Sequence, residues 1–235
     1  DPVIRNIRSL STPEGSPARL ISLDDNPPTC TMTYTEIRAN QTSAHHIHPW
    51  EHEVFIIKGS GTLVCDAKEY HVRQWDAIYI PGNVDHYTLN NGGQGVMRRI
   101  EVNPLVAAQT QGGRSEGGTR GSGQPPVIRN LDEIDQTDGP ARQVLGVADG
   151  ATNYITAFRR LDTGSTAPKH AHPGEHQAYI LEGSCILDCD GVEHLVAEGD
   201  AVLVPPNSEH EWRSNSDYVA KWLVFNPAGN SGGGH

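Results

Sequence analysis

Apolar residues along this chain fall in short runs rather than in long amphipathic stretches. Val54-Phe55-Ile56-Ile57, Thr62-Leu63-Val64-Cys65 and Ala77-Ile78-Tyr79-Ile80 are runs rich in β-branched and aromatic side chains. Gly59-Ser60-Gly61 and Pro81-Gly82-Asn83 punctuate them as turns. Further along, Ala178-Tyr179-Ile180-Leu181, Cys185-Ile186-Leu187 and Ala201-Val202-Leu203-Val204 have the same form. Strand-length runs at spacings of about 8–12 residues predict a sandwich or barrel. No helical period is sustained, so the expected fold class is all-β. No apolar stretch approaches the roughly 20 residues of a membrane helix, and no charged-then-apolar leader opens the sequence.

The pattern repeats. Pro2-Val3-Ile4-Arg5-Asn6 recurs as Pro126-Val127-Ile128-Arg129-Asn130, an offset of 124 (126 − 2). The stretch HIHPWEHEVFIIKG from His46 recurs as HAHPGEHQAYILEG from His170, again at 124 (170 − 46). Asp76 matches Asp200, Pro81 matches Pro205 and His86 matches His210 at the same spacing. A constant offset over such a length predicts two copies of one β fold in tandem. The expected organisation is a first domain at 1–108 and a second at 126–228. Between them, 109–125 is rich in Gly, Ser and Gln and nearly free of apolar residues, which predicts a flexible linker. The tail 229–235 has the same character.

Histidines are the chemistry that the duplication carries. His46, His48, His52 and His86 correspond to His170, His172, His176 and His210. A lone histidine in a strand is ordinarily a satisfied core or surface residue. Here two matched sets stand among diverged neighbours: Ile47 became Ala171, Trp50 became Gly174, and Glu53 became Gln177. Two residues apart on a strand, His46 and His48 project to one face. Imidazole suits Fe, Mn, Ni, Cu and Zn. Each half is therefore expected to hold one divalent transition metal, with Fe, Mn, Ni, Cu and Zn all open. His45, His71, His194 and His235 lack such pairing and are expected at the surface or in the tail.

These residues resemble the motifs of the cupin superfamily. Its first motif is Gly, five residues, H-x-H, three or four residues, Glu, six residues, Gly. Gly164, His170, His172, position 176 and Gly183 match that spacing, as do Asn40, His46, His48, position 52 and Gly59. The second motif is matched by Gly199, Pro205 and His210, and by Pro81, His86 and Asn90, with Asn83 and Asn207 replacing a glycine and Ser214 an asparagine. The resemblance covers roughly residues 15–104 and 140–227. It implies two tandem cupin barrels of the double-stranded β-helix, or jelly-roll, type. Most metal cupins place glutamate at the third ligand position, where this chain has His52 and His176. The wording HxHPWEHE resembles small cupins with an all-histidine site, and that resemblance implies iron or manganese foremost, with Ni, Cu or Zn as alternatives. Asn40 and its kin tolerate the left-handed conformation that glycine would supply.

Composition narrows the partners. Eighteen basic against twenty-nine acidic residues give a formal net charge of -11 and no basic cluster, which disfavours nucleic acid. Four cysteines in 235 residues do not suggest a disulfide scaffold, and Cys30, Cys65, Cys185 and Cys189 are read as reduced and buried in a cytoplasmic protein. The expected partner is a small-molecule substrate; a homodimer is left open.

The resemblance leaves three functions open. One is a metal-dependent dioxygenase acting on an enolic, diketone or diol-like molecule. Another is a non-redox isomerase, lyase or decarboxylase, and the third is a non-catalytic binder. Glu51, Glu175 and Tyr179 are the candidate catalytic residues, with Glu51, Glu175, Glu209 and Glu211 expected on a solvated rim, and Phe55 and Tyr179 expected foremost in the barrel core, with a pocket wall as the alternative. Trp50 is expected to narrow the first site, and Glu209 and Glu211 to make the mouth of the second more negative.

Overall fold

A computed structural model describes residues 1–10, 17–93, 95–105, 124–135, 141–215 and 218–229. The first half carries β1 (Val3–Asn6), β2 (Ala18–Ile21), β3 (Cys30–Ile37), β4 (His52–Lys58), β5 (Ser60–Cys65), β6 (Lys68–Arg73), β7 (Asp76–Ile80), β8 (His86–Leu89) and β9 (Met97–Pro104). The second carries β10 (Val127–Asn130), the short helix α1 (Leu131–Asp135), β11 (Ala141–Leu145), β12 (Tyr154–Leu161), β13 (Thr166–His170), β14 (His176–Glu182), β15 (Ser184–Cys189), β16 (Val192–Ala197), β17 (Asp200–Val204), β18 (His210–Ser214) and β19 (Ala220–Pro227). The apolar runs read from the sequence lie within β4, β5, β7, β14, β15 and β17. Gly59-Ser60-Gly61 is less of a turn than expected. Gly59 alone makes the corner, at φ +94°, and β5 begins at the next residue. Gly61 lies in the strand, where a Cβ would meet the Leu89 carbonyl oxygen at 2.2 Å.

Two six-stranded sheets, β1-β17-β14-β19-β12-β11 and β10-β7-β4-β9-β3-β2, form the centre of the molecule. A four-stranded sheet β13-β18-β15-β16 and a three-stranded sheet β6-β5-β8 close the two barrels. Alternation along each strand divides the side chains between two faces. In β4, Val54 and Ile56 join Leu63, Cys65, Ile78, Ile80 and Met97 inside the first barrel. Phe55 faces the other way, into a core shared with Tyr79, Tyr154, Phe158, Tyr179, Leu203 and Leu223. The two large sheets thus pack face to face on one apolar layer, and each barrel keeps a separate interior.

The repeated Pro-Val-Ile-Arg-Asn motif has a structural explanation. β1 pairs antiparallel with β17 of the second half, and β10 pairs antiparallel with β7 of the first. Each half therefore lends its leading strand to the sheet of the other. Asn6 Nδ2 donates to Asp200 Oδ1 at 2.7 Å, and Asn130 Nδ2 donates to Asp76 Oδ1 at 2.8 Å. The second oxygens of Asp76 and Asp200 cap turns by accepting from the Arg73 and Ala197 amides, both at 2.7 Å. Arg5 reaches back to Asp25, and Arg129 to Asp149, through paired bonds of 2.6 to 2.8 Å.

The expected linker, 109–125, lies outside the described residues except for positions 124 and 125, and the expected tail 229–235 except for position 229. All four cysteines are buried and unpaired. Burial pushes the thiols of Cys65 and Cys185 up to about 11 and 12, which keeps them protonated and inert. Among the described residues, no helix is long and apolar enough to cross a membrane.

Candidate metal centres

The eight matched histidines converge as two sets of four. His46, His48, His52 and His86 bring one ring nitrogen each within 4.8 Å of the others, and His170, His172, His176 and His210 do the same. Strand pairing supplies part of each set: His46 bridges His86, and His170 at the end of β13 faces His210 on β18. His52 and His176 open β4 and β14. His48 and His172 lie beyond the strands, in loops held by the Asn83 and Asn207 amides, which donate to their carbonyls at 2.6 and 2.8 Å. Asn83 and Asn207 adopt φ of 61° and 62°, and Asn40 adopts 61°, the left-handed backbone expected where glycine is replaced.

Ring orientation decides what these groups can do. Nδ1 of His48 donates to the Trp50 carbonyl at 2.7 Å, and Nδ1 of His86 donates to the Val84 carbonyl at 2.7 Å. His170 and His210 are held in the same way by the carbonyls of Pro168 and Ser208, at 2.7 and 2.9 Å. Nδ1 of His52 meets Asn103 Oδ1 at 3.2 Å, and Nδ1 of His176 meets Asn226 Oδ1 at 2.5 Å. A ring whose Nδ1–H is donated presents a bare lone pair at Nε2. Nε2 of His52, His86 and His210 is buried without a hydrogen-bond partner, a costly arrangement unless a cation takes the lone pair. His172 Nε2 and His176 Nε2 stand 2.7 Å apart; two such nitrogens repel unless a proton or cation lies between them. The donor sets therefore fit a divalent transition metal held by four neutral imidazoles.

Electrostatics agree. Burial, reinforced by neighbouring rings, holds His48 down to about 4 and His86 and His176 down to about 3. The same causes lower His46, His52, His172 and His210. Rings that stay unprotonated at neutral pH are ready ligands.

The two centres differ in surroundings. Trp50 stacks on the His48 ring, with centroids 4.8 Å apart and planes 6° apart, while Gly174 offers no such wall to the second centre. Three of the first four histidines are buried, whereas His170 is exposed and only His210 of its set is buried. The second mouth is not simply more acidic, as its sequence suggested. Glu209 lies 3.7 Å from Lys169 and Glu211 3.3 Å from Arg213, which offset both carboxylates locally.

The carboxylates near the motifs are placed differently from expectation. Glu51 and Glu175 are buried rather than on a solvated rim. Glu51 Oε1 accepts from the Thr152 and Asn153 amides and from Asn153 Nδ2 at 2.9 to 3.0 Å, which ties the first barrel to the second half. The positions matching Thr152 and Asn153 are Pro28 and Thr29. Proline has no N–H to give, and Glu175 Oε1 is left without a partner. Glu53 and its counterpart Gln177 face the core between the sheets, where Thr156 Oγ1 donates to Glu53 and Gln177 Nε2 donates to the Cys30 carbonyl at 2.8 Å. Tyr179 is not brought to a centre. It lies on the face of β14 opposite His176, in the shared core with Phe55.

His52→Ala is expected to strip most metal from the first centre, whereas Glu51→Ala leaves it loaded and instead costs about 2–3 kcal/mol of stability through orphaned donors. Metal analysis and denaturant titration of both variants check this; the reverse pattern of metal loss would reject the ligand assignment.

Asn103 and Asn226 were not singled out in the sequence, although the pairs Asn103-Pro104 and Asn226-Pro227 repeat. Asn226 lies 16 positions after His210 and Asn103 lies 17 after His86, so a search at constant offset passes over them. Arg99 and Glu101, on the inner face of β9, were missed too.

Two jelly-roll barrels, each with a four-histidine centre, define the class of protein. The Cupin domain family, Cupin_2, matches residues 33–103 and 157–226, together more than half of the chain. The chain belongs to the cupin family.

Protein SchB of Streptomyces halstedii is 31% identical over 77 residues, 32% of this chain and 55% of that protein, so the chain spans about half the length of this curated relative. Among solved structures, a variant of salicylate 1,2-dioxygenase from Pseudoaminobacter salicylatoxidans in complex with gentisate superposes with a TM-score of 0.76 at 15% identity, over 97% of this chain and 82% of that one. A Cupin 2 conserved barrel domain protein from Leptotrichia buccalis gives a TM-score of 0.68 at 14% identity, over 94% of both chains. At such identities the likeness is one of fold.

Proposed function

We propose that this cupin is a metal-dependent oxidoreductase of the dioxygenase type. In this reading each barrel holds a divalent transition metal, iron or manganese, and the substrate is a small enolic, diketone or diol-like molecule. The observation that carries the reading is the set of four neutral imidazoles aimed at one point. With no carboxylate among the four, the ion keeps its full positive charge, which favours an anionic or enolate-like oxygen. Such an ion, when bound, supplies Lewis-acid and redox chemistry toward dioxygen. The chain's own residues fix the donors: backbone carbonyls and the Asn103 and Asn226 amides hold the rings, and burial keeps His48, His86 and His176 neutral. Trp50 narrows the approach to the first centre. The shared fold with a salicylate 1,2-dioxygenase solved with gentisate supports this reading over the non-redox and non-catalytic ones.

An oxygen-uptake screen of metal-loaded protein with diketones, catechols and enediols tests it. Oxygen consumption matching substrate loss is expected, and it should vanish in a chain lacking all eight histidines. Conversion without oxygen uptake would move the assignment to an isomerase, lyase or decarboxylase. No conversion by fully loaded protein would leave a binding protein.

A further inference from the structure

The inner walls of the two barrels differ where they flank the centres. Arg99, Glu101 and Asn103 alternate along the inner face of β9. Phe55 pairs with Ile100 and Tyr179 pairs with Leu223, so the matching residues of β19 are Trp222, Val224 and Asn226. The asparagine is kept, and the Oδ1 of each accepts from the Nδ1–H of a ligand ring. The other two positions have changed character. Arg99 Nη1 donates to Thr88 Oγ1 and Nε to Thr35 Oγ1, both at 3.0 Å, and Nη2 donates to Glu101 Oε1. In the second barrel Thr88 is matched by Trp212, which stacks on Trp222 with centroids 5.1 Å apart. One wall is a charged network; the other is an indole pair.

Stability does not account for the charged wall. The Arg99 side chain is 6% exposed. Burying an ion pair carries a desolvation cost that its attraction offsets only partly, and apolar replacement is often neutral or stabilising. The second barrel demonstrates that this scaffold accepts the apolar filling. Glu101 differs from its partner in keeping 17% of its side chain exposed, with Arg99 holding Oε1. Asn103, next along the same inner face, meets His52 Nδ1 at 3.2 Å, so the pair shares the wall that flanks the centre. Glu101 raises the proton affinity of His46 and His48, and Arg99 lowers that of His46, His52 and His86. The four imidazoles are committed as ligands, and Glu51 and Glu53 are engaged by the other half.

We propose that Glu101 is a catalytic residue of the first barrel: its carboxylate accepts the hydroxyl proton of an enolic or phenolic ligand bound at the His46–His48–His52–His86 centre. The inference rests on the function proposed above. In this step the ligand's O–H bond breaks, its electron pair stays on oxygen, and the proton bonds to Glu101 Oε2. Nothing is oxidised. Arg99 is a positioning residue that fixes Oε1 and leaves Oε2 to take the proton. The second barrel has Val224 at that place and releases the proton to solvent instead.

Proton counting on ligand binding tests this without turnover. The parent is metal-loaded protein carrying His170→Ala and His172→Ala, which leaves the first centre alone. 4-Nitrocatechol is bound anaerobically in weakly buffered solution with a pH indicator. Glu101→Gln on this background is expected to release one more proton per bound ligand than the parent, at unchanged metal content. A chain carrying His46→Ala and His48→Ala, whose remaining centre faces Val224, should also release one more than the parent. This second comparison decides the matter if Glu101→Gln fails to fold. Binding with equal proton counts would overturn the role of Glu101 and leave the proposed function standing. Failure of 4-nitrocatechol to bind the parent would overturn both.

Discussion

Turnover is expected to collapse when His46 and His48 are both replaced by alanine, and to survive largely intact when His170 and His172 are replaced. Losing two of four ligands should lower metal affinity by more than the roughly 10–100-fold typical of outer-shell changes. The difference between the variants comes from what surrounds each centre. The first is buried, walled by Trp50 stacked on His48, and flanked by Arg99 and Glu101. The second has an exposed His170, Gly174 in place of the indole, and Trp222 and Val224 in place of the ion pair. Excluding water strengthens every electrostatic interaction at a centre, and that condition is better met in the first barrel. Once a substrate is known, initial rates of both variants at equal folded concentration give the comparison. Equal loss in both would refute the asymmetry.

Glu53→Gln is expected to stabilise the protein, and to do so more strongly as pH rises. Glu53 is 3% exposed in the core between the two large sheets, and one of its oxygens has no partner. Burial pushes its carboxyl from 4.5 up to about 8. The folded state thus keeps a proton that the unfolded state gives up above pH 4.5, so stability falls as pH rises between those values. The slope is about 1.4 kcal/mol per pH unit, which makes the cost about 3 kcal/mol at neutral pH. Gln177, already an amide at the matching position, shows that the site accepts one. Denaturant titrations of both proteins across pH 5 to 8 should diverge progressively and meet at the acid end. A difference independent of pH would mean that Glu53 is not protonated in the fold.

Much of each centre was legible in the sequence because the ligand motifs are local and duplicated. His52 and His176, rather than their neighbouring glutamates, gather with the other three histidines of each set. Asn83 and Asn207 sit in the left-handed turns that the motif demands. The place of Tyr179 was also within reach: three residues after His176 on one strand means the opposite face. Other features depend on contacts between distant segments. Nothing local in Val3–Asn6 says that it pairs with β17 rather than with its own half. The burial of Glu51 depends on amides 101 and 102 residues away. Arg99 and Glu101 escaped notice because β9 follows a one-residue change in spacing, beyond which the two halves no longer align at constant offset.

Each barrel is expected to hold one metal ion on four histidines. Elemental analysis of protein loaded with ferrous or manganous ion and freed of excess tests it most directly. About two ions per chain are expected, one after replacement of His46 and His48 or of His170 and His172, and none after replacement of all four. Trace metal in the unaltered chain, or a content that the histidine replacements leave unchanged, would contradict it.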